Sequence, residues 1–172
     1  ACQDSLVTFL QECFPYSTGL KPFGPAQLEA IELDQEVITN GGRLNKLLFR
    51  GAAKTTTSIG ACLWGIFFGH TRFVPVFTAG QDRSDEFIEG WQTELLTNDF
   101  LYWMFPEIIW AFKKLDGQPL RAKSQTYRGE KTHIVWKKSR IVFPTIEGFE
   151  CSGGVMLSKS YKSARGTIHR SA

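Results

Sequence analysis

Residues 46–60 have the sequence Lys-Leu-Leu-Phe-Arg-Gly-Ala-Ala-Lys-Thr-Thr-Thr-Ser-Ile-Gly, which carries the strongest signal for fold and function in the chain. An apolar run, Leu47-Leu48-Phe49, leads into small residues, a Lys-Thr pair and the start of a helical pattern. This order is typical of a phosphate-binding loop, or P-loop. Small residues let backbone N–H groups close around phosphate oxygens. Lys54 would bring a positive charge to the β- and γ-phosphates, and Thr55 a hydroxyl ligand for Mg²⁺.

Two positions depart from the full P-loop pattern. Glycine is expected six residues before Lys54 and directly before it, where this chain has Leu48 and Ala53. If the backbone at Ala53 has a positive φ, alanine costs about 1 kcal/mol or more there, whereas a negative φ costs little. The local pattern leaves one alternative open, namely an ordinary helix N-terminus with a chance Lys-Thr pair.

The composition suits a globular protein with one domain. The chain has 172 residues, of which 42% are hydrophobic, enough to form a substantial core. Its longest apolar segment, Ile59–Phe68, is too short to cross a membrane, and no charged segment before an apolar one predicts a signal peptide. The four cysteines are scattered and the three histidines share no metal-binding spacing, so we expect reduced thiols in an intracellular setting. The helical pattern places Cys62 in the core.

Charge is distributed unevenly along the chain. Residues 1–112 contain 7 Lys and Arg against 13 Asp and Glu, whereas residues 113–172 contain 13 against 4. The second part is therefore strongly basic, although the net charge of the chain is only +3. Such a basic region is typical of a nucleic-acid partner, but it also fits a solvated surface or one that faces an acidic neighbour.

Hydrophobic periodicity predicts an α/β chain. Helices are predicted over residues 5–14, 26–39, 55–68 and 82–97. Strands are predicted at Leu47–Phe49, where the run should be buried, at 72–78, in a hairpin formed by 132–136 and 140–143, and at 153–158. Pro75 confines its strand to a sheet edge or a bulge because it has no N–H to donate. The aromatic-dense segment 100–112 is interpreted as core cover rather than a stacking platform.

The order of these elements predicts the sheet. Strands and helices that alternate over the first two-thirds of the chain favour a mostly parallel sheet flanked by helices. The later strands are expected to form a β-hairpin in the C-terminal third, as an insertion or as flanking strands. Residues 159–170 are predicted to be a basic, serine-rich loop.

Motifs on both sides of the loop resemble those of a known family, the N-terminal ATPase domain of phage terminase large subunits, which are motors that drive DNA into a capsid. The resemblance covers roughly residues 20 to 170, with the motifs in the same order. It is carried by Pro25–Ile31, Gly41-Gly42-Arg43, Phe49–Thr56, Ala61–Trp64, Gly69–Phe73, Glu94–Asp99, Phe105-Pro106-Glu107, Thr132–Trp136, Ile141–Ile146 and Ala164–Thr167. An Arg-Gly pair before the lysine and alanine directly before it are both known in that family.

The resemblance implies roles for individual residues. Lys54 and Arg50 would be catalytic, the lysine on the phosphates and the arginine near the γ-phosphate. Thr55 would be the Mg²⁺ ligand, and Gln27 would contact adenine, although an ordinary exposed helix residue is the alternative there. The whole set expected to bind ATP is Gln27, Arg50, Gly51, Ala52, Ala53, Lys54, Thr55 and Thr56. Arg165 and Gly166 match a loop that precedes the family's Walker B strand, in a role we do not assign.

The resemblance also implies a fold, partners and a location. The fold would be a RecA-like P-loop ATPase domain over residues 25–172, preceded by an N-terminal helix and loop at 1–24. We expect double-stranded DNA, a portal and a small terminase subunit as partners of the full protein, with assembly into a homo-oligomeric ring in the cytoplasm of an infected bacterial host. No membrane partner is expected.

One expected feature of the family is missing from the sequence. A Walker B strand is a short apolar run that ends in Asp-Asp or Asp-Glu, which holds Mg²⁺ and activates water. The nearest apolar run, Ile141-Val142-Phe143, ends in proline. We therefore expect an incomplete ATPase domain that binds nucleotide weakly and does not turn over. Three alternatives stay open: a helicase-like ATPase, a nucleic-acid-binding module with a degenerate P-loop, and a viral gene fragment without an independent function.

Overall fold

A computed structural model describes residues 1–15 and 22–163 of the chain. The chain divides into two compact units, Ala1–Thr71 and Arg72–Ala172. No helix among the described residues is both long enough and apolar enough to cross a membrane.

The first unit is built from three helices, α1 (Leu6–Cys13), α2 (Pro25–Asn40) and α3 (Lys54–Phe67). All three helices predicted in this region are confirmed. Local chemistry explains where they begin, because the Ser5 hydroxyl accepts a hydrogen bond from the N–H of Thr8 and Pro25 occupies the first turn of α2. Each of the three helices contacts the other two.

Glycine allows α1 and α3 to approach closely. A Cβ atom added at Gly60 would lie 2.3 Å from Cδ2 of Leu10, a distance that real Cβ atoms do not reach. Leu10 is fully buried, and Trp64 in the C-terminal part of α3 donates its ring N–H to the carbonyl of Cys2 at 2.8 Å. The core of this unit is formed by Leu6, Phe9, Leu10, Cys13, Phe14, Ile31, Leu63, Trp64, Ile66 and Phe67.

The buried strand predicted at Leu47–Phe49 is wrong. These residues have no regular secondary structure, and the side chains of Leu47 and Phe49 are 86% and 64% exposed. A strand is stable only when its N–H and C=O groups pair with a neighbour, and the described part of the first unit contains no strand. Three apolar residues were therefore too weak a signal to specify a strand.

The second unit combines a sheet with helices on its surface. Its helices are α4 (Gln81–Thr97), α5 (Asp99–Met104), α6 (Pro106–Lys113) and α7 (Pro119–Ala122). Its strands are β1 (Phe73–Thr78), β2 (Thr126–Tyr127), β3 (Glu130–Lys131), β4 (Val135–Lys137), β5 (Arg140–Val142) and β6 (Val155–Ser160). The fold is therefore α/β, as predicted.

The four-stranded sheet is mixed, so the prediction of a mostly parallel sheet is wrong. Its strand order is β1-β6-β5-β4, in which β1 and β6 are parallel and the other two pairs are antiparallel. The expectation depended on a strand at Leu47–Phe49 that does not form, which leaves β1 as the one long strand in the first two-thirds of the described chain. The β4–β5 hairpin is confirmed, and it flanks β6 instead of being an insertion.

Pro75 lies on an edge strand, as its missing N–H predicts. It belongs to β1, which pairs with β6 and ends the order of the sheet. Helix α4 packs on both strands, and its buried Ile88, Trp91 and Leu95 face the core of the unit. The edge position thus explains how proline is tolerated within a run of β-forming residues.

A buried polar network joins α4 to the sheet. The carboxylate of Asp85, a residue only 7% exposed, accepts hydrogen bonds from the Ser158 hydroxyl at 2.6 Å and the Gln81 amide at 2.7 Å. The backbone N–H of Ser160 in turn donates to Gln81 Oε1 at 3.1 Å. These bonds satisfy a carboxylate that would be costly to bury alone.

Candidate phosphate-binding loop

The loop that precedes α3 has a backbone conformation suited to small residues. The N–H of Ala52 donates to the carbonyl of Phe49 at 3.4 Å and closes a turn in which Gly51 has a φ of 91°. Ala53 follows with φ 53° and ψ 28°, in the left-handed region. A positive φ disfavours alanine relative to glycine, because the Cβ atom of alanine crowds the backbone in this conformation. This cost explains why the general P-loop pattern has glycine at the position of Ala53.

Lys54 closes the loop on itself. Its ammonium group donates hydrogen bonds to the carbonyl oxygens of Leu48 at 3.0 Å and Phe49 at 2.7 Å. An ammonium group has three protons, so these two bonds leave one for a further acceptor. The positive charge is therefore held at the mouth of the loop rather than extended into solvent.

The N-terminus of α3 adds backbone donors beside this charge. Ala53 is the N-cap, its carbonyl accepts from the N–H of Thr57 at 2.9 Å, and it has no side chain that could cap the helix. The first N–H groups of an α-helix have no partner within the helix and favour anions. Together with Lys54 they form an arrangement suited to a phosphate group.

The three threonines at the start of α3 differ in their environment. The buried Thr57 donates its hydroxyl proton to the carbonyl of Lys54 at 3.1 Å, so that its side chain is part of the helix. Thr55 is exposed, and Thr56 is partly exposed. Thr55 is consequently the threonine best placed to offer its hydroxyl to a ligand.

Gln27 connects the start of α2 to the loop. Its Oε1 accepts from the N–H of Gly24 at 3.0 Å, and its Nε2 donates to the carbonyl of Ala52 at 3.2 Å. These bonds place Gln27 beside the loop, and they make it neither an isolated nor an ordinary exposed helix residue. A contact with adenine would use the second proton of Nε2 or the second lone pair of Oε1.

An ion pair fixes the other end of the loop. Lys46 and Asp34 of α2 form a salt bridge in which both side chains are mostly buried. Cys62 of α3 lies near this pair. Burial raises the pKa of the Cys62 thiol to about 12, and the charge of Asp34 contributes in the same direction. The Cys62 residue as a whole keeps some exposure, but its thiol is buried, in keeping with the core position predicted for it.

Arg50 and the adjacent Phe49 are exposed to solvent. Arg50 and Gly51 lie at the tip of the turn, between the exposed Phe49 and the buried Ala52. The guanidinium of Arg50 is thus accessible from outside the loop. Arg165 and Gly166 lie outside the described residues.

The described residues provide few ligands for a divalent cation. They contain no group of three or more His, Cys, Asp or Glu side chains that could hold a metal ion. Neither parallel strand ends in adjacent carboxylates, because β1 is followed by Ala79-Gly80 and β6 ends at Ser160. A Mg²⁺ ion at this loop would therefore take Thr55 from the described chain and its other oxygens from phosphate and water.

Sequence reasoning found the loop but not the contacts that hold it. The salt bridge between Asp34 and Lys46 spans twelve positions, and the bond from Gln27 to Ala52 spans 25. Neither has a local sequence signal, although Gln27 is the third residue of a helix that begins with proline, a position where glutamine favours capping.

Comparison with known proteins leaves the resemblance based on motifs alone. No protein-family model matches the chain, and neither a curated protein nor a solved structure matches it.

Proposed function

We propose that the loop Leu48–Thr56 binds the phosphates of ATP with Mg²⁺, and that the chain is part of a DNA-packaging terminase large subunit of the P-loop ATPase class. The observation that supports the nucleotide site is the position of the Lys54 ammonium. It lies at the N-terminus of α3 and is held over the loop by the carbonyls of Leu48 and Phe49. The motif order described above supports the terminase assignment. DNA translocation belongs to the proposed full protein.

Lys54, Thr55 and Arg50 would each have a distinct role in phosphoryl transfer. Phosphoryl transfer to water requires positioning and neutralisation of the charge on the phosphate oxygens. Lys54 and the first N–H groups of α3 would neutralise and orient the β- and γ-phosphates. Thr55 would offer an oxygen to Mg²⁺, and the exposed Arg50 would approach the γ-phosphate. We propose that the 172-residue chain binds without turnover, because the described strands supply no carboxylate pair to activate water.

Nucleotide affinity tests this proposal directly. Titration calorimetry with a slowly hydrolysed ATP analogue and Mg²⁺ should give one site, and Lys54→Ala should weaken binding roughly 10- to 150-fold, the range for a hydrogen bond to a charged group. Lys137→Ala, which removes an exposed lysine of the β4–β5 hairpin, is the control and should leave the affinity unchanged. Equal affinities of the native and Lys54→Ala proteins would overturn the nucleotide site.

Two further measurements separate the parts of the proposal. Steady hydrolysis of ATP by the purified chain, lost in Lys54→Ala, would contradict the absence of turnover while supporting the site. The chain can also be extended with a segment that carries the missing carboxylate pair. Hydrolysis by this extended chain that is stimulated by duplex DNA would support the motor assignment. Strand separation by such a protein would favour the helicase-like alternative instead.

The exposed basic residues of the β4–β5 hairpin favour a second candidate function, a nucleic-acid-binding module without catalysis. Lys137, Lys138 and Arg140 are all exposed at or beside its turn. Such a cluster suits contact with phosphates of a nucleic acid. Duplex binding that is unaffected by ATP-Mg²⁺, together with no nucleotide binding at all, would favour this candidate over the ATPase.

A further inference from the structure

A small aromatic pocket lies on the surface of the second unit. It has a volume of about 250 Å³ and is lined by Tyr102, Pro106, Glu107, Trp110 and Tyr127, from α5, α6 and β2. Tyr102 and Trp110 are 37% and 38% exposed, so that large parts of both side chains face solvent. The buried side of α6 is formed by Ile108, Ile109, Ala111 and Phe112 instead. The segment therefore does more than cover the core, contrary to its interpretation from the sequence.

Each of the three rings in this pocket has a cation beside it. The Lys113 ammonium lies 4.5 Å from the centre of the Tyr102 ring, the Lys114 ammonium 5.5 Å from Trp110, and the Arg128 guanidinium 5.3 Å from Tyr127. Two carboxylates belong to the same surface. Asp99 accepts a hydrogen bond from Lys113 at 3.1 Å, and Glu107 lines the pocket itself. The surface therefore places three cations beside aromatic rings, one of them bonded to a carboxylate.

We propose that this pocket binds an unpaired base of a single-stranded nucleic acid, with Lys113, Lys114 and Arg128 contacting the phosphates on either side. Proteins that bind single strands combine aromatic rings, on which bases stack, with a positively charged path for the backbone. A duplex keeps its base faces within the stack and cannot present them to such a pocket. The inference is independent of the nucleotide site proposed above.

Glu107 gives the pocket a preference among bases. A carboxylate accepts hydrogen bonds and repels acceptors, and the exocyclic amino group of cytosine is a donor, whereas thymine has a carbonyl oxygen at the same place. We therefore expect oligo(dC) to bind more tightly than oligo(dT). The preference should disappear in Glu107→Gln, because an amide offers both donors and an acceptor.

The backbone at Arg128 supports a functional role for this residue. Arg128 and Gly129 form the two-residue turn between β2 and β3, with φ values of 51° and 88°. Positive φ at both positions is typical of a type I′ turn, where Asn-Gly is strongly preferred and arginine is disfavoured. Arg128→Asn should therefore stabilise the hairpin and at the same time weaken binding, an outcome that a purely structural role would not produce.

Fluorescence anisotropy with labelled 12-nucleotide probes tests the proposal. The native protein should bind oligo(dC) more tightly than oligo(dT), and both more tightly than a blunt duplex of the same length. Tyr102→Ala and Tyr127→Ala should each weaken oligo(dC) binding roughly 5- to 150-fold, the range for loss of one stacked base. Trp103→Ala is the matched control, because Trp103 is 83% exposed and does not line the pocket.

Salt dependence and a free nucleotide complete the experiment. Lys113→Gln with Lys114→Gln should reduce the slope of log affinity against log salt by about 0.7 for each phosphate contact removed. Competition by dCMP as strong as by the oligonucleotide would mean that a mononucleotide, not a strand, is the ligand and would overturn the proposal. Equal losses in Trp103→Ala and Tyr102→Ala, or tighter binding of the duplex, would do the same. Binding of a labelled Pro-rich peptide that is lost in Tyr102→Ala, together with no binding of oligo(dC), would assign the pocket to a protein partner and overturn the proposal.

Discussion

Ala53 shows how one residue sets the conformation of the candidate loop. It has a φ of 53° directly before Lys54, and its carbonyl accepts the first hydrogen bond of α3. An L-residue in this conformation brings its Cβ close to the following carbonyl oxygen, at a cost of roughly 1–2 kcal/mol. The chain tolerates this conformation at the point where the loop must turn into the helix.

Substitution at residue 53 should therefore change stability in a defined order. Ala53→Gly removes the steric cost and should be neutral or stabilising by up to about 1 kcal/mol, because part of the gain is offset by the larger freedom of glycine in the unfolded chain. Ala53→Val should be destabilising, because a β-branched side chain is least compatible with a positive φ. Urea unfolding of both variants and the native protein measures the order. A valine variant as stable as the native protein would contradict it.

The buried cysteines predict a loss of stability at alkaline pH. Burial raises the pKa of both Cys13 and Cys151 to about 12, from an ordinary value of 9.0. A thiol that stays protonated in the folded state stabilises it fully below the unfolded pKa, and this contribution is lost as pH rises from about 9 to about 12. The urea concentration at the unfolding midpoint should therefore decrease as the pH is raised from 8 to 10.5.

Removal of a buried thiol provides the control for this pH effect. The fall in the urea midpoint should be smaller in Cys151→Ala than in the native protein, since the variant has one thiol fewer to ionise on unfolding. An identical pH dependence in the two proteins would show that Cys151 does not contribute to the effect.

At the scale of elements, the first unit depends on a close contact between two helices. Gly60 on α3 leaves the space that the Leu10 side chain of α1 fills. Interiors are packed densely enough that one additional methyl group at such a contact forces a shift. The helical periodicity predicted both helices, but not that glycine at this position joins them.

A double-mutant cycle measures this contact. Gly60→Ala should destabilise the native background by about 1–3 kcal/mol through overpacking. In a Leu10→Ala background the clash is absent, and the same substitution should be neutral or stabilising by up to about 1 kcal/mol because alanine favours helix more than glycine does. Equal effects in the two backgrounds, measured by urea unfolding, would show that Leu10 and Gly60 do not interact.

At the scale of the whole molecule, the two proposed sites use different chemistry and lie in different units. Lys54 belongs to the unit Ala1–Thr71, and the aromatic pocket belongs to the unit Arg72–Ala172. The first suits phosphate groups held by backbone N–H groups, and the second suits a base stacked on an aromatic ring. A substitution in one site should therefore weaken binding of the ligand of that site and not of the other.

We expect each of two substitutions to weaken binding of one ligand only. Lys54→Ala should weaken binding of the ATP analogue and leave oligo(dC) binding within about twofold, since the substitution removes no ring or cation from the pocket. Tyr127→Ala should do the reverse. Both affinities are measured on the same protein preparations, with circular dichroism as a control for folding. Loss of both activities in either variant would indicate one shared site or an unfolded protein.

The sequence predicted the elements with strong periodicity and missed those without it. Helices α1, α2, α3 and α4 lie within two residues of their predicted bounds, because an apolar stripe repeated over several turns is a specific signal. The two-residue strands β2 and β3 have no such repeat and were not predicted. The loop before α3 was predicted from its residue types, whereas its anchoring by Asp34, Lys46 and Gln27 depends on contacts between distant residues.

The sequence by itself determined helices α1 to α4, the β4–β5 hairpin, the restriction of Pro75 to a sheet edge or a bulge, and the position of Lys54 at a helix N-terminus, because each follows from local periodicity or from the chemistry of one residue. Only the tertiary structure decided that Leu47–Phe49 forms no strand, that the sheet is mixed, and that Tyr102, Trp110 and Tyr127 share one pocket. These features depend on which segments pair and pack together, and pairing is a property of the whole chain rather than of any short stretch.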